Sequence, residues 1–506
     1  MMATGVDAVD RVGKVEQRGV DHIPEHERTS RPAELVPTFV GAQFSLTVIV
    51  VGGLPIAFGL SWWAAFTAIT VGVLVGTLLY APFALFGPRT GTNSAVSSGA
   101  HFGVVGRLVG SFLALFSALG FYAICVWTGG EALVSGGHKL FGTPESDAMF
   151  VLGYALMAVA TVIISVYGHA TVVAAQKFVI AGIGGCMLLG LITQVGDFDA
   201  GYAGGEYLLG DFFSTWMLSA VTAASLPISY GPFANDYSRY ISSRFSPRSV
   251  AWANGLGIFI GSWVVIVFGA FMATMFPADA ATWVQGWVAI SPTWYVVPIM
   301  LVALLGTFAQ GAVCLYGTGL DFSSLFPKLR RVPATLLLSS IGVAFVYVGF
   351  FLWSLMDSVS AFVVILVVLT TPWMVINLIG YRTRRGWYSP EDLQVFNQGR
   401  RGGIYWYTGG WNLRALAAWL PAVAVGLMFT QTTLLTGPWA TAVKGIDMSF
   451  ISAAAIAGVL YVVFLKLFPE PREVMGPREP AGPAQTTTTP APAGAGRDGA
   501  EAPATI

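Results

Sequence analysis

An all-α integral membrane protein of twelve transmembrane helices is the fold class this 506-residue chain predicts, and three observations predict it. Hydrophobic residues make up 55% of the chain and charged residues only 10%, against about 25% charged in ordinary soluble proteins. Apolar runs of about 20 residues, enough to cross the hydrocarbon core, recur along it. Lysine and arginine segregate to alternate connections between those runs, as the positive-inside rule requires.

The runs fall at 36–60, 62–86, 108–136, 149–168, 172–196, 212–235, 250–276, 294–320, 333–356, 359–381, 412–436 and 448–468. A cytoplasmic N-terminus puts every Lys and Arg except Lys139 and Lys444 on the inner side. Glu145, Asp147, Asp197, Asp199, Glu206, Asp211, Asp279 and Asp447 then fall outside. Both termini are therefore expected in the cytoplasm of a multi-pass plasma-membrane protein. Lys328, Arg330 and Arg331 read as a topology signal only. Trp62, Trp63, Trp283, Trp287 and Trp294 sit near predicted outer interfaces, where an aromatic belt is expected. Residues 1–34 form a polar tail with no cleavable signal sequence. Residues 469–506, rich in Pro, Ala, Thr and Gly, are expected to be a disordered tail. Residues 35–468 form one membrane domain.

Two spans read as interrupted. The first carries Gly52, Gly53 and Pro55 after Gly41, Gln43, Phe44 and Ser45; the sixth carries Pro227, Gly231 and Pro232. Freed backbone groups in lipid are tolerated only where protein or a water-filled cavity satisfies them. The two interruptions lie five spans apart, so they run in opposite directions across the bilayer. That matches a five-plus-five inverted repeat, about 36–196 and 212–381, with a substrate site between broken helices and two extra helices at 412–468. Asp236 and Arg239 follow the sixth span three residues apart, so they share a helical face at the inner membrane edge and can pair as a gate or anchor.

Composition and motifs exclude other classes. Net charge is +0, so nothing suggests a nucleic-acid partner. Cys125, Cys186 and Cys314 are far apart inside apolar runs and form no metal or disulfide motif. His22, His26, His101, His138 and His169 fall in tails or loops, and no HExxH or paired-carboxylate motif appears, which argues against a membrane-embedded enzyme and against a cofactor. Rings of pore-lining charge, which a channel would show, are also missing. Glu131, near the outer end of the third span, reads as interfacial.

Several stretches resemble the purine–cytosine permease branch of the nucleobase–cation symporter family. They are GVDHIPEHER at 19–28, the first span from Gly41 to Gly53, GPRTGTN at 87–93 with HFGVVG at 101–106, FYAICVWTGGE at 121–131, DYSR at 236–239 and LYGTGL at 315–320. The resemblance implies a leucine-transporter-type inverted repeat and import of a small heterocycle, such as a purine or cytosine, with a proton or sodium ion. By motif position it implies a ring-stacking aromatic at Phe121, where relatives usually carry tryptophan, and another at Tyr230. It places polar contacts at Gln310, with Cys125 and Cys314 where relatives often have amides. Gln43 and Ser45 are further candidates, as costly buried polar groups in a span. Sodium-coupled relatives hold the ion with helix-one carbonyls and helix-eight hydroxyls, which here points to Gly41, Phe44, Gly306 and Thr307. Only Thr307 in that stretch offers a hydroxyl, which leans toward protons, yet no carboxylate sits plainly at mid-membrane. An amino-acid transporter of the same fold remains the alternative.

Overall fold

In the computed structural model the described residues are 20–165, 169–277, 280, 282–325 and 331–476. All regular elements among them are helical. In chain order these are α1 (Leu35–Gln43), α2 (Leu46–Ala57), α3 (Trp62–Tyr80), α4 (Phe86–Thr90), α5 (Ser94–Phe102) and α6 (Leu108–Phe141). Next come α7 (Asp147–Ser165), α8 (His169–Gln194), α9 (Phe212–Ser229), α10 (Ala234–Ser238), α11 (Pro247–Ala273) and α12 (Trp283–Ile290). The chain ends with α13 (Thr293–Leu325), α14 (Arg331–Leu352), α15 (Leu355–Thr383), α16 (Pro390–Leu393), α17 (Leu413–Met428) and α18 (Ser449–Leu467).

Among the described residues eight helices are long and apolar enough to cross a membrane, and α1 with α2 makes a ninth crossing if the bent pair is one span. Shorter apolar helices stand in the places of the fourth, fifth and eleventh expected spans.

The first break lies earlier than the glycines suggest. Helix α2 runs unbroken through Gly52, Gly53 and Pro55, and the chain turns by 67° at Phe44 and Ser45. Ser45 adopts an extended backbone and its hydroxyl accepts from the Val48 N–H, so a side chain replaces the lost helical partner. The two glycines serve packing instead. A Cβ on Gly52 would stand 2.1 Å from the Ile266 carbonyl oxygen, and one on Gly53 2.0 Å from the Trp283 indole nitrogen. The sixth span is interrupted where expected: α9 contains Pro227, Tyr230 caps it, and Gly231–Phe233 form a 3-10 turn leading into α10. It remains a single crossing from Phe212 to Ser238.

Close backbone contacts assemble one bundle from α1, α2, α3, α9 and α11. Lipid tails are as apolar as leucine, so packing between small residues drives such association. Gly72 and Gly76 of α3 lie against the carbonyl oxygens of Ala220 and Ala224 of α9. Gly269 of α11 meets the Ile49 carbonyl, and Gly261 meets Val40. A second group packs α6 with α7, α13 and α14, while α17 and α18 pack on each other and on α15. The grouping pairs spans one and two with six and seven, and three and four with eight and nine, as an inverted repeat would.

Three surface expectations need correction. Trp63 and Trp294 are exposed, but Trp62, Trp283 and Trp287 are buried, the last two because α12 folds inward. Residues 20–34 are not a free tail. Arg28 donates to the carbonyls of Ile23 and Pro88, Ile23 N–H to Gly91, and Ser30 N–H to Tyr240, strapping this segment to α4 and to the chain after α10. Residues 469–476 also pack, through Glu470, whose carboxylate lies 2.8 Å from the Arg384 guanidinium with both side chains fully buried. Asp279, Lys328, Arg330 and residues 477–506 lie outside the described residues.

Candidate substrate and cation site

The two interruptions meet. Tyr230, at the break of the sixth span, donates its hydroxyl to the Ala42 carbonyl beside the break of the first, at 3.0 Å. Ser117 of α6 donates to the Ser229 carbonyl at 3.2 Å, so the third span is tied to the same point. Backbone acceptors freed by the breaks are thereby satisfied by side chains, as they must be away from water.

At this junction lies a tight cavity of about 10 Å³, room for about one water, lined by Ser117, Phe121, Ser229, Tyr230, Phe233, Gln310 and Cys314. Four sequence-derived candidates, Phe121, Tyr230, Gln310 and Cys314, therefore share one wall. Phe121 is buried and held by an edge-on contact with Phe362, ring centres 5.4 Å apart at 81°. The Gln310 oxygen accepts from the Ser45 hydroxyl and, at 3.5 Å, from the Cys125 thiol. Tyr230 lies beside the same amide.

The other candidates fall elsewhere. Cys125 and Ser45 are fully buried one layer behind the wall, where they orient Gln310. Thr47 extends this layer, donating to Cys125 at 3.3 Å and meeting Thr128 at 3.2 Å. Gln43 is absent from the cavity: it is buried with its Cβ toward Gly261 of α11, and neither amide atom has a hydrogen-bond partner. Ser117, Ser229 and Phe233 went unnoticed in the sequence. A serine inside a span commonly returns its hydroxyl to its own helix, as Ser229 does to Leu226, and leaves no spacing signal.

The cation candidates are brought together only in part. Gly306 packs against the first break, since a Cβ there would sit 2.9 Å from the Ser45 Cα. The Thr307 hydroxyl turns the other way and donates to the Cys125 carbonyl at 3.0 Å. The Gly41 carbonyl accepts from the Phe44 N–H at 3.2 Å. This arrangement does not aim a helix-eight hydroxyl at helix-one carbonyls. Among the described residues no cluster of three His, Cys, Asp or Glu could hold a metal ion.

Asp236 and Arg239 also differ from expectation. They are buried, at 7% and 1% exposure, rather than sitting at an open membrane edge. The Arg239 guanidinium lies 5.2 Å over the Tyr240 ring, and Ser30 of the N-terminal strap pairs with the Tyr240 carbonyl.

Residues 22–451 match the family model described as permease for cytosine/purines, uracil, thiamine, allantoin. A Bacillus subtilis (strain 168) protein, YxlA, provisionally named a purine-cytosine permease, is 25% identical over 461 residues, covering 90% of this chain and 96% of YxlA. Mhp1, a nucleobase-cation-symport-1 family transporter solved closed around bromovinylhydantoin, superposes with a TM-score of 0.70 at 19% identity, over 91% of this chain and 98% of Mhp1. A sodium-coupled sialic acid symporter superposes at 0.56 with 11% identity, over 88% of this chain and 92% of its own. These structures share the fold. The chain is a transport protein rather than an enzyme, and it belongs to the family of permeases for cytosine/purines, uracil, thiamine and allantoin.

Proposed function

We propose that this permease imports a purine, cytosine or similar small flat heterocycle across the plasma membrane, together with a cation and by alternating access. The observation that carries the reading is Phe121 and Tyr230 lining one narrow cavity with the Gln310 amide between two helix breaks. A flat ring stacks on an aromatic side chain for about 1–3 kcal/mol. Its edge is then read by hydrogen bonds, which discriminate between rings far better than apolar contact does. The Gln310 oxygen accepts from Ser45 and Cys125 and its amide stands beside the Tyr230 hydroxyl, so on this reading an amide N–H turns from Tyr230 to meet a ring acceptor. Ser117 adds a hydroxyl on the same wall.

On this reading both termini are cytoplasmic, and Asp236 and Arg239 belong to an inner gate beneath the strap. The bundle containing both breaks rocks against the group built on α6 and α13, opening the cavity to each side in turn. Thermal-shift screening of the purified protein against adenine, hypoxanthine, guanine, cytosine and uracil tests the substrate class. At least one should raise the melting temperature and compete with labelled uptake. Competition by amino acids, with no response to any base, would replace this reading with an amino-acid carrier of the same fold.

A further inference from the structure

The third span holds a carboxyl group that the substrate site does not use. Glu131 was expected at the interface, yet it is only 3% exposed, inside α6 and beneath the outer helix α12. It lies ten residues beyond Phe121, about 15 Å farther toward the outer side on a 1.5 Å rise. One of its oxygens has no hydrogen-bond partner. The Thr282 hydroxyl and the Trp127 indole stand beside the carboxyl. Thr282 caps α12 by accepting from the Gln285 N–H, which leaves its own O–H to donate. The Trp127 N–H, the Ser135 hydroxyl and the Tyr154 hydroxyl are buried and equally unpartnered.

No cation balances this group among the described residues. Tyr154, packed on Gly130, is the titratable side chain facing it from α7; Asp147 and Tyr347 act on Tyr154 rather than on Glu131. Helices α2 and α12 carry no titratable residue. Tyr295 of α13 gives its hydroxyl to the Cys186 carbonyl on α8. Lys139, two turns along α6, is held by the carbonyls of Val288, Ala289 and Ser291. An ionised carboxyl shut in such a place would be an uncompensated charge in the span, whereas a neutral one needs only ordinary hydrogen bonds.

We propose that Glu131 is the proton-binding site of the transport cycle, loaded from the outer side before α12 closes over it. A proton from external water forms the O–H bond on the carboxylate. Closure of α12 then buries a neutral acid beside Thr282. Opening to the cytoplasm returns the proton to water there and restores the carboxylate. Toward the cavity, Thr128 lies three residues back on α6 and touches Thr47, which bonds Cys125 beside Gln310. These polar side chains lie on the way from the carboxyl to the substrate amide. This proposal rests on the chain being a cation-coupled importer, and it makes that cation a proton.

The test uses the full-length protein in proteoliposomes, with labelled adenine, hypoxanthine and cytosine each offered under an inward proton gradient or an inward sodium gradient. Wild type should accumulate substrate in response to protons, approaching about tenfold per pH unit for one proton per substrate. Glu131→Gln should lose that response, and Glu131→Asp should retain part of it. In parallel, infrared difference spectra across a pH titration should show a buried carboxylic acid band in wild type that Glu131→Gln lacks. Accumulation driven by sodium alone would overturn the proton assignment and leave the importer reading intact. An unaltered proton response in Glu131→Gln, or an identical infrared band, would overturn the role of Glu131. If no base moves under either gradient the importer reading fails, and the infrared comparison still decides whether Glu131 binds the proton. Should Glu131→Gln not fold, the Glu131→Asp band shift decides in its place, and an unshifted band counts against the proposal.

Discussion

At Phe121 a single ring does two jobs: it lines the cavity and it packs nearly at right angles on Phe362. Phe121→Ala should leave expression and membrane insertion intact yet weaken base binding by roughly 10- to 100-fold, the equivalent of one lost stacking contact. Equilibrium binding measures this, and unchanged affinity would remove Phe121 from the site. Phe121 and Tyr230 came from motif resemblance alone, whereas Gln310 was also legible from its type, an amide deep in a span. Gln43 met the same criterion but does not line the cavity. Burial alone does not say which way a side chain points, and the Cβ of Gln43 faces α11. Glu131 was misjudged because α12 is what covers it, and nothing local in α6 announces that neighbour.

Among the elements, the breaks show why glycine and proline are ambiguous signals. Gly52 and Gly53 mark a backbone contact, while the turn at Ser45 is made by a serine cap. The glycines of α11 make the point testable. A methyl at Gly269 would lie 1.9 Å from the Ile49 carbonyl oxygen, so even Gly269→Ala should force α2 and α11 apart. Size-exclusion profiles and melting temperature should both deteriorate; a well-behaved Gly269→Ala protein with wild-type melting would contradict the packing. The N-terminal strap carries a pH dependence. Burial acts against the Glu25 carboxylate, but hydrogen bonds from Ser242 and Ser243 and the nearby Arg28 outweigh it and hold the group below its ordinary 4.5. A lowered carboxyl stabilises the docked strap above that ordinary value, and the contribution disappears as pH falls through the lowered one. Protease cleavage within residues 20–34 should therefore accelerate only in strong acid, and Glu25→Gln should abolish that acceleration. Equal protection of the strap at neutral and strongly acidic pH would count against it.

For the whole molecule, the order of spans was readable because the bilayer imposes a length rule on every segment, while the charge rule carries the sidedness as a proposal. The meeting of the two breaks was readable only as an odd spacing of five spans. The actual tie, Tyr230 to Ala42, needs three dimensions. Alternating access also separates gate from pocket. Asp236→Asn should slow turnover more than it weakens binding, since Asp236 sits six residues past Tyr230, beyond the cavity wall. Comparing transport rate with equilibrium affinity checks this, and a parallel fall in both would deny the gate.

A structure of the protein with the best-binding nucleobase, solved by crystallography or cryo-electron microscopy, addresses the account at its centre. The base should lie flat against Phe121, near Tyr230, with a ring acceptor facing the Gln310 amide nitrogen. Density for the base anywhere outside that wall, such as behind α1 beside Gln43, would contradict it.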